Sequence, residues 1–486
     1  MAQAEGTGSR GGVVSVRLRG LLLGVTATLS ACALGPDYAR PAIDTPDRFR
    51  WEPAGEAPGS VADLKWWDVY QDPALRTLIE TALKQNLDVR IAAARVEQAR
   101  ALGGAATLGL LPQVAATGSS GRIQQSRDVI AGAAQRTIDR DSAGLSLSWE
   151  LDLWGRLRRL DEAARADLLG AEAARQGVMV GLVSDVATTW FQLAFFDEQL
   201  RITRGTVETR QQFLGLTRAQ FERGVVSGLD VSTAEAQLST AQASIPEFER
   251  QVALAEHQLS LLLGGNPTGV PNATPAVPPS PDLPVGLPSQ LLERRPDVRQ
   301  AQAALVAANA RVGAAKAALL PTISLTGTFG TASDALHGLF AGPAETWSAG
   351  VGLVQPLLDA ERSLYQVDLA DARKAEALLA YEKTVRNAFR EVSDALVARQ
   401  KFQETERARA ALVEALSRSE EIATARYKVG YSSYFDVINA DRDLFEAKLA
   451  LSSARLSSLL ATVELYRALG GGWEVAPAGG SPGGAG

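Results

Sequence analysis

"LSLSWELDL", residues Leu145–Leu153, alternates strictly between apolar and polar side chains. Its odd positions hold leucine or tryptophan, and its even positions hold Ser146, Ser148, Glu150 and Asp152. A period of two over this length predicts a β-strand with one apolar and one polar face. The length also suits a tilted strand that crosses a bilayer, so we expect these four even side chains to face water in a lumen. Because alternation alone does not identify the solvent on either face, a sheet with one face on a soluble core is the less favoured alternative.

Three other segments are predicted to be strands. In "PTISLTGTF" (Pro321–Phe329), Ile323, Leu325 and Phe329 alternate with hydroxyl side chains. The other two segments are weaker and rich in glycine. The predicted strands cover residues 112–122, 143–153, 321–331 and 347–357.

The chain is an internal duplication. Asp88-Val89-Arg90 recurs 209 residues later as Asp297-Val298-Arg299, and Ser142-Ala143-Gly144 recurs 206 residues later as Ser348-Ala349-Gly350. A register this long indicates two structural repeats. We predict an N-terminal segment, a first repeat, a proline-rich linker, a second repeat and a tail, at residues 32–85, 86–263, 264–288, 289–469 and 470–486.

Each repeat is predicted to contain a helix, two strands, a long helix and a returning helix. The long helices, 155–223 and 361–429, lack proline, and each would be about 100 Å long at about 1.5 Å per residue. Apolar residues spaced four, three, four along them indicate a coiled-coil seam: Met179, Val183, Val186 and Trp190, repeated at Val385, Phe389, Val392 and Leu396.

Glycine and aspartate mark the turn after each long helix. Gly224 and Gly430 suit the position just beyond a helix end, and Asp230 and Asp436 suit the N-caps of the returning helices. The returning helices are therefore predicted at residues 230–263 and 436–469. Each repeat should fold back as a helical hairpin.

The only cysteine, Cys32, lies at the end of a predicted export signal. Basic residues precede the apolar stretch Leu21–Ala31, which is too short to span a bilayer. Leu29-Ser30-Ala31-Cys32 matches the bacterial lipoprotein signal, which predicts removal of residues 1–31 and acylation of Cys32. The alternative is a small buried cysteine in a core.

Composition argues against several classes of function. The net charge is −6 and no run of lysine or arginine is present, so nucleic acid is not expected as a partner. One cysteine and two isolated histidines, His257 and His337, do not form an ordinary zinc site. We therefore expect no metal or cofactor.

The number of strands predicts the assembly. Four strands cannot close a membrane barrel, and an open edge in lipid leaves backbone groups unpaired. Eight strands from two chains would enclose only their own side chains. Twelve strands from three chains leave room for a passage, so we expect a homotrimer.

Several motifs together resemble the TolC-like outer-membrane factor family, in its NodT- and OprM-like lipoprotein branch. The resemblance extends over nearly the whole mature chain. The motifs that carry it are Cys32 with "GPDYARP", "WWDVYQDPALRTLIETALKQNLDVRIAAARVEQARA" from Trp66, "LSWELDLWGRLRR" from Leu147, "LERRPDVRQAQAAL" from Leu292, and "ALGGGW" at Ala468–Trp473.

The resemblance implies a mixed fold, with a twelve-stranded antiparallel β-barrel in the outer membrane above a long periplasmic tunnel of α-helical coiled-coil hairpins. It also implies a trimer anchored by lipid, a periplasmic adaptor (membrane fusion) protein and an inner-membrane pump of the resistance-nodulation-division type. Such a trimer exports drugs or other small amphiphiles and is not an enzyme.

The resemblance further places a periplasmic gate where the second-repeat hairpins converge. The matched positions are Phe435 and Asn439, with Arg442 one turn beyond. The branch usually carries an aspartate at the position of Asn439, so Asp436 and Asp441 are expected to supply the acid for Arg442.

Three alternatives belong to other classes of protein. An anchored coiled-coil rod would be structural or an adaptor without a pore, but it has no use for the alternating strand Leu145–Leu153. An enzyme could use Glu150 and Asp152 as a carboxylate pair, although no nucleophile or phosphate loop accompanies them. The duct of a type I secretion system would share the channel architecture.

Overall fold

A computed structural model describes residues 33–52, 65, 69–70, 72–124, 126, 137–269, 288 and 291–471. The predicted signal 1–31, Cys32, most of the linker 264–288 and residues 472–486 lie outside this range. The helices and strands, in chain order, are α1 Pro73–Gln85, α2 Leu87–Leu108, β1 Gln113–Gln124, β2 Thr137–Leu151, α3 Arg156–Glu222, α4 Gly228–Leu262, α5 Leu291–Arg294, α6 Pro296–Ala317, β3 Thr322–Ser333, β4 Glu345–Val354, α7 Ala360–Lys428 and α8 Tyr434–Ala468.

The duplication is confirmed at the level of whole elements. The bounds of α2 and β1 recur in α6 and β3 with a shift of 209 residues, and those of α4 recur in α8 with a shift of 206. The long helices α3 and α7 end at Glu222 and Lys428, again 206 residues apart. The three-residue difference therefore lies between the first and second strand of each repeat.

The four strands form one antiparallel sheet in the order β1-β2-β3-β4. Leu145 is paired with Ala116 and Phe329, and Phe329 is paired with Trp347. Because directly paired residues point to the same face, one face of the sheet is apolar across all four strands. The predicted two-faced sheet is confirmed.

The strands differ in extent from the prediction. β2 begins at Thr137, six residues before the predicted start, because its ladder with β1 continues through the paired residues Arg122 and Asp139. It ends at Leu151, since Asp152 turns away to bind the next helix. β4 ends at Val354, just before Pro356, which has no N–H to donate to a ladder.

The chain divides into two compact units. Unit 1 contains the sheet and the described residues of Met1–Ala42, Glu97–Gly170 and Ala301–Ala380. Within it, α3 and α6 pack through a cluster of nearly fully buried alanines: Ala163, Ala166, Ala307 and Ala310. The small side chains allow a close approach of the two helices.

The N-terminal segment of unit 1 is held by both repeats. Leu34 N–H donates to Trp154 O over 3.0 Å, and Arg159 Nη2 lies 2.8 Å from Asp37 Oδ1. Asn309 Nδ2 donates to Pro36 O over 2.8 Å. The segment that follows Cys32 is therefore fixed to α3 and α6.

Unit 2 contains the described residues of Ile43–Val96, Ala171–Gln300 and Tyr381–Gly486. Its core contains seven of the eight predicted heptad positions, each at most 6 % exposed: Met179, Val183, Val186 and Trp190 on α3, and Val385, Val392 and Leu396 on α7. The eighth, Phe389, is partly buried and packs against this core. One stretch of α3 is apolar enough to cross a membrane, but most of it is buried against protein, as in a core helix.

Sequence patterns did not predict α1, which lies in the segment 32–85. Asp72 caps it by accepting hydrogen bonds from Ala74 N and Leu75 N. The second oxygen of Asp72 accepts a 3.0 Å hydrogen bond from Trp190 Nε1. One carboxylate therefore starts α1 and ties it to α3.

Several helix ends differ from the prediction. α2 and α6 end at Leu108 and Ala317, because the chain turns before it reaches Pro112 and Pro321. The N-caps of α4 and α8 are Ser227 and Ser433. Asp230 and Asp436 lie at the third helical position, where each completes a capping box.

Each repeat closes on its own beginning. Asn86 Nδ2 donates to Leu262 O at the end of α4 over 3.0 Å, and Arg295 Nη1 donates to Ala468 O at the end of α8 over 2.9 Å. Two residues after Leu262 and Ala468, Gly264 and Gly470 have φ of +81° and +80°. Both glycines lie directly against the start of the repeat.

We expect Gly264→Ala to destabilise the protein by more than about 1–2 kcal/mol, the cost of a left-handed conformation. Its Cβ would also lie 2.5 Å from the carbonyl oxygen of Gln85. Gly215→Ala is the control, because this helical position has no atom within 4 Å of the added Cβ; it should stabilise by about 0.5–1 kcal/mol. Thermal unfolding followed by helical circular dichroism distinguishes the two, and equal effects would contradict the close-packing argument.

Candidate functional site

The polar face of the sheet is rich in hydroxyl groups. Ser146 is paired with Ala115 and Thr328, and Ser148 is paired with Gln113 and Thr326. Cross-strand hydroxyls hydrogen-bond each other, as Thr328 and Ser348 do over 2.7 Å. This surface offers water donors and acceptors with few charges.

The two acids of the opening motif lie at the foot of the sheet and are already engaged. Glu150 accepts two hydrogen bonds from Arg156, of 2.9 and 2.7 Å. Asp152 lies beyond the end of β2 and accepts 2.9 Å hydrogen bonds from Leu157 N and Arg158 N. Asp152 therefore lies outside β2, contrary to the predicted strand 143–153, and it holds the first turn of α3.

The sheet has two edges at which no further strand of the described chain is paired. β1 and β4 are the outer strands, and each is paired on one side only. Large apolar side chains near these edges are exposed, among them Val114, Trp347 and Val351. An exposed edge with an apolar face needs further strands to cover it in lipid.

The second hairpin turn lies between α7 and α8. Gly430 has φ of +83°, which allows the chain to leave α7. Asp436 accepts hydrogen bonds from Ser432 Oγ, Ser433 Oγ and Ser433 N. These bonds lower the pKa of Asp436, so its contribution to the turn is present above the ordinary pKa of aspartate and is lost as pH falls through the lower folded-state value.

Both hairpin turns expose large apolar side chains. Val225 and Leu229 are exposed in the first turn, and Val429, Tyr431 and Phe435 in the second. Beneath them lies a small core: Leu214, Ala234, Tyr427, Tyr434, Val437 and Ile438. The predicted gate residue Phe435 therefore belongs to an apolar tip and lies outside that core.

The acid beside Arg442 differs from the prediction. Arg442 pairs with Asp443, at 3.1 Å from Nε and 2.9 Å from Nη2 to Oδ1. Asp436 is occupied by its capping box, and Asp441 accepts a 2.8 Å hydrogen bond from Arg210 Nε. Neither of the two predicted acids contacts Arg442. Asn439 is half-buried between them on α8.

Arg210, which no sequence pattern indicates, joins three helices of unit 2. Its side chain is 6 % exposed, and it donates from α3 to Asp441 on α8 and, over 2.8 Å, to Gln237 O on α4. Its guanidinium also lies over the ring of Phe445, 5.3 Å from the centroid. The partners are 231 residues apart, so no local pattern could indicate this contact.

Known proteins that resemble this chain in sequence and those that resemble it in structure point to one family. Residues 78–265 and 287–471 match the family described as "Outer membrane efflux protein", in two blocks that correspond to the two repeats. The chain is 38% identical over 465 residues to the toluene efflux pump outer membrane protein TtgC of Pseudomonas putida, covering 93% of this chain and 95% of TtgC.

Two further relatives agree. The outer membrane protein OprJ of Pseudomonas aeruginosa is 34% identical over 459 residues, covering 93% of this chain and 95% of OprJ. The solved structure of the outer-membrane channel OprN is 30% identical and superposes with a TM-score of 0.84, covering 91% of this chain and 100% of OprN.

Proposed function

Because this chain belongs to the outer membrane efflux protein family and is an outer-membrane efflux channel protein, we propose that it works as one subunit of a homotrimeric export duct. The observation that carries this proposal is the sheet with an apolar face and two open edges. Three copies supply twelve strands, the smallest barrel here with an open lumen. A coiled-coil rod without a pore leaves such a sheet unexplained.

The proposed lumen is lined by the hydroxyl face of the sheet, including Ser146 and Ser148. Glu150 contributes at its periplasmic end as an Arg156-paired carboxylate. The duct is passive, and we propose no enzymatic step: the Glu150 and Asp152 carboxylates are bound to α3, which leaves no free acid pair.

The proposed cargo is a small amphiphile, a drug or a solvent. The name of TtgC describes a toluene efflux pump, and this relationship is the support for a cargo of that class. A periplasmic adaptor protein and an inner-membrane transporter of the resistance-nodulation-division type are the proposed partners. They would load the duct from below.

The proposed membrane attachment has a lipid anchor in addition to the barrel. After removal of residues 1–31, Cys32 would carry the acyl chains, next to the segment that Trp154, Arg159 and Asn309 hold. Metabolic labelling with palmitate tests this. Label should be lost in Cys32→Ser, and label retained there overturns the assignment.

We propose that the duct closes at the second hairpin turns, through Phe435, Asn439 and Arg442 from each copy. Asp443 takes the place of Asp436 and Asp441 as the acid beside Arg442. Three copies around an axis bring these residues together as rings, where like charges crowd unless each has a partner.

Arg442→Ser is expected to raise the single-channel conductance of the purified trimer and to make cells leaky to large antibiotics. Thermal stability should change little, because an exposed pair contributes about 0–1 kcal/mol. Phe435→Ala is the comparison. If it raises conductance while Arg442→Ser does not, the closure is hydrophobic and the ionic gate is wrong.

The overall function is tested with the full chain in three measurements. Native mass spectrometry should give a trimer, planar bilayers should show discrete channels, and deletion of the gene should sensitise cells to solvents and amphiphilic drugs. Purification with the adaptor and transporter identifies the partners. A stable monomer without channel activity would overturn the proposal.

A further inference from the structure

The helices next to the sheet follow an ordered series of contacts in unit 1. α2 contacts α3, where Thr107 Oγ1 lies 2.5 Å from Asp161 Oδ1. α3 contacts α6 through the buried alanines and through the ion pair of Asp167 with Arg311. α6 contacts α7, where Lys316 Nζ lies 4.0 Å from Asp371 Oδ2.

The duplication gives this series a direction. The contact of α2 with α3 lies within the first repeat, and its counterpart in the second repeat is the contact of α6 with α7. Thr107 and Lys316, which make these contacts, are equivalent positions 209 residues apart. The contact of α3 with α6 joins the first repeat to the second. Its counterpart would join α7 to the α2 of a following first repeat, which only a second copy can supply.

If α2 and α7 meet only between copies, some of their side chains should be exposed in one chain where the equivalent side chains of α6 and α3 are buried. Ala163 on α3 is 2 % exposed, whereas its counterpart Leu369 on α7 is 40 % exposed. Ala317 on α6 is 2 % exposed, whereas its counterpart Leu108 on α2 is 64 % exposed. α7 and α2 thus expose a larger apolar side chain at positions where α3 and α6 bury an alanine. α2 and α7 therefore expose apolar side chains, such as Leu108 and Leu369, at positions where a second copy could cover them.

One polar contact between α3 and α6 identifies a specific pair. In unit 2, Arg299 Nη1 donates to Gln176 Oε1 over 2.9 Å. The counterpart of Arg299 is Arg90 on α2, and the counterpart of Gln176 is Glu382 on α7. Arg90 is exposed, and Glu382 has one weak neighbour in its own helix, Arg386 at 3.4 Å.

We propose that α2 of one copy packs against α7 of the next as α6 packs against α3, and that Arg90 forms an ion pair with Glu382 of the partner subunit. Within one chain the arginine Arg299 binds a neutral amide, whereas between copies Arg90 would bind a carboxylate of opposite charge. This proposal rests on the proposed homotrimer, and it assigns two residues that hold neighbouring copies together.

Thiol cross-linking tests the assignment in full-length protein in the membrane. The double variant Arg90→Cys/Glu382→Cys is treated with a short bis-maleimide and heated in SDS. It should give covalent dimers and trimers. The matched control Arg299→Cys/Gln176→Cys has the equivalent geometry within one chain, so it should give an internally linked monomer only. Untreated protein and the parent chain should give monomers after heating.

Charge reversal gives an independent measurement. Arg90→Glu should lower the temperature at which the SDS-resistant trimer dissociates, because two carboxylates then face each other. The double reversal Arg90→Glu/Glu382→Arg should restore most of that loss. A merely structural role of Arg90 within its own helix would not be rescued by a change on α7.

The outcomes separate this inference from the proposed function. If the parent chain is trimeric but the Arg90/Glu382 variant gives no links between chains while the control pair links internally, the interface assignment is wrong and the trimeric duct stands. If the parent chain is monomeric by native mass, the trimer itself is wrong. Links between chains in the variant, together with rescue by double reversal, support the assignment.

Discussion

Leu147→Arg is expected to abolish assembly of the protein in the outer membrane, whereas its neighbour Ser148→Arg is not. Leu147 belongs to the apolar face, opposite Val114 and Gly327. An arginine on the lipid side near the bilayer midplane costs about 2–4 kcal/mol, and three copies of the chain multiply that cost. Ser148 is paired with Gln113 and Thr326 on the hydroxyl face, where a charge remains in water.

The measurement is the fraction of heat-modifiable, SDS-resistant trimer in outer-membrane preparations, with conductance as the second readout. Leu147→Arg should lose the trimer. Ser148→Arg should keep it and alter conductance or ion selectivity. Equal loss in both variants would show that the assignment of the two faces is wrong, and Leu147→Phe serves as a control for side-chain volume.

Arg210→Met should have the largest effect of any change in the helical hairpins. It leaves Asp441 as a largely buried carboxylate without its partner, and breaking a buried pair from one side costs about 3–5 kcal/mol. We expect the lower end of that range, because the Asp441 side chain is 21 % exposed. Since Arg210 joins α3 to α4 and α8, conductance should rise as well.

A double variant makes this prediction specific. Arg210→Met/Asp441→Leu removes both charges and should recover most of the lost stability, because an apolar pair of similar volume can replace a buried ion pair. Arg218→Met is the matched control, because Arg218 also joins α3 to α4, through Glu235 at 2.6 Å, but both side chains are about half exposed. It should cost at most about 1 kcal/mol. No recovery in the double variant would contradict the ion-pair account.

Periodic features of the chain were predictable from sequence. The alternation at Leu145–Leu153 predicts a two-faced strand, the shifts of 209 and 206 residues predict two repeats, and heptad spacing predicts the buried seam that includes Val186 and Val392. These signals are regular because one physical constraint, burial of one face, acts on every turn or every second residue.

The partners of individual polar side chains were not predictable. Asp152 continues the alternation of β2, and only the structure shows that it binds the amides that begin α3. Asp441 and Arg442 are adjacent in sequence, yet α8 directs them to Arg210 and Asp443 respectively. Adjacent helical residues point about 100° apart, so neighbours in sequence seldom share a partner.

The ends of helices and strands were predicted less accurately than the elements themselves. Predicted strand ends were displaced by up to six residues, and the serines that cap α4 and α8 precede the predicted aspartates by three residues. Capping boxes contain both residues, and the pattern of serine followed three residues later by an acid was present at Ser227 and Ser433. That pattern could have found them.

The duplication also affects how readily the complete ring forms. One repeat supplies two strands, so unlinked repeats would need six separate molecules for the same twelve-stranded closure. Each bimolecular encounter forfeits about 4–15 kcal/mol of translational and rotational freedom. Covalent fusion at the proline-rich linker turns half of the joints between repeats into intramolecular ones, and the β2–β3 pairing is such a joint. A newly exported chain therefore arrives with one joint in every two already made, which lowers the concentration at which the ring completes.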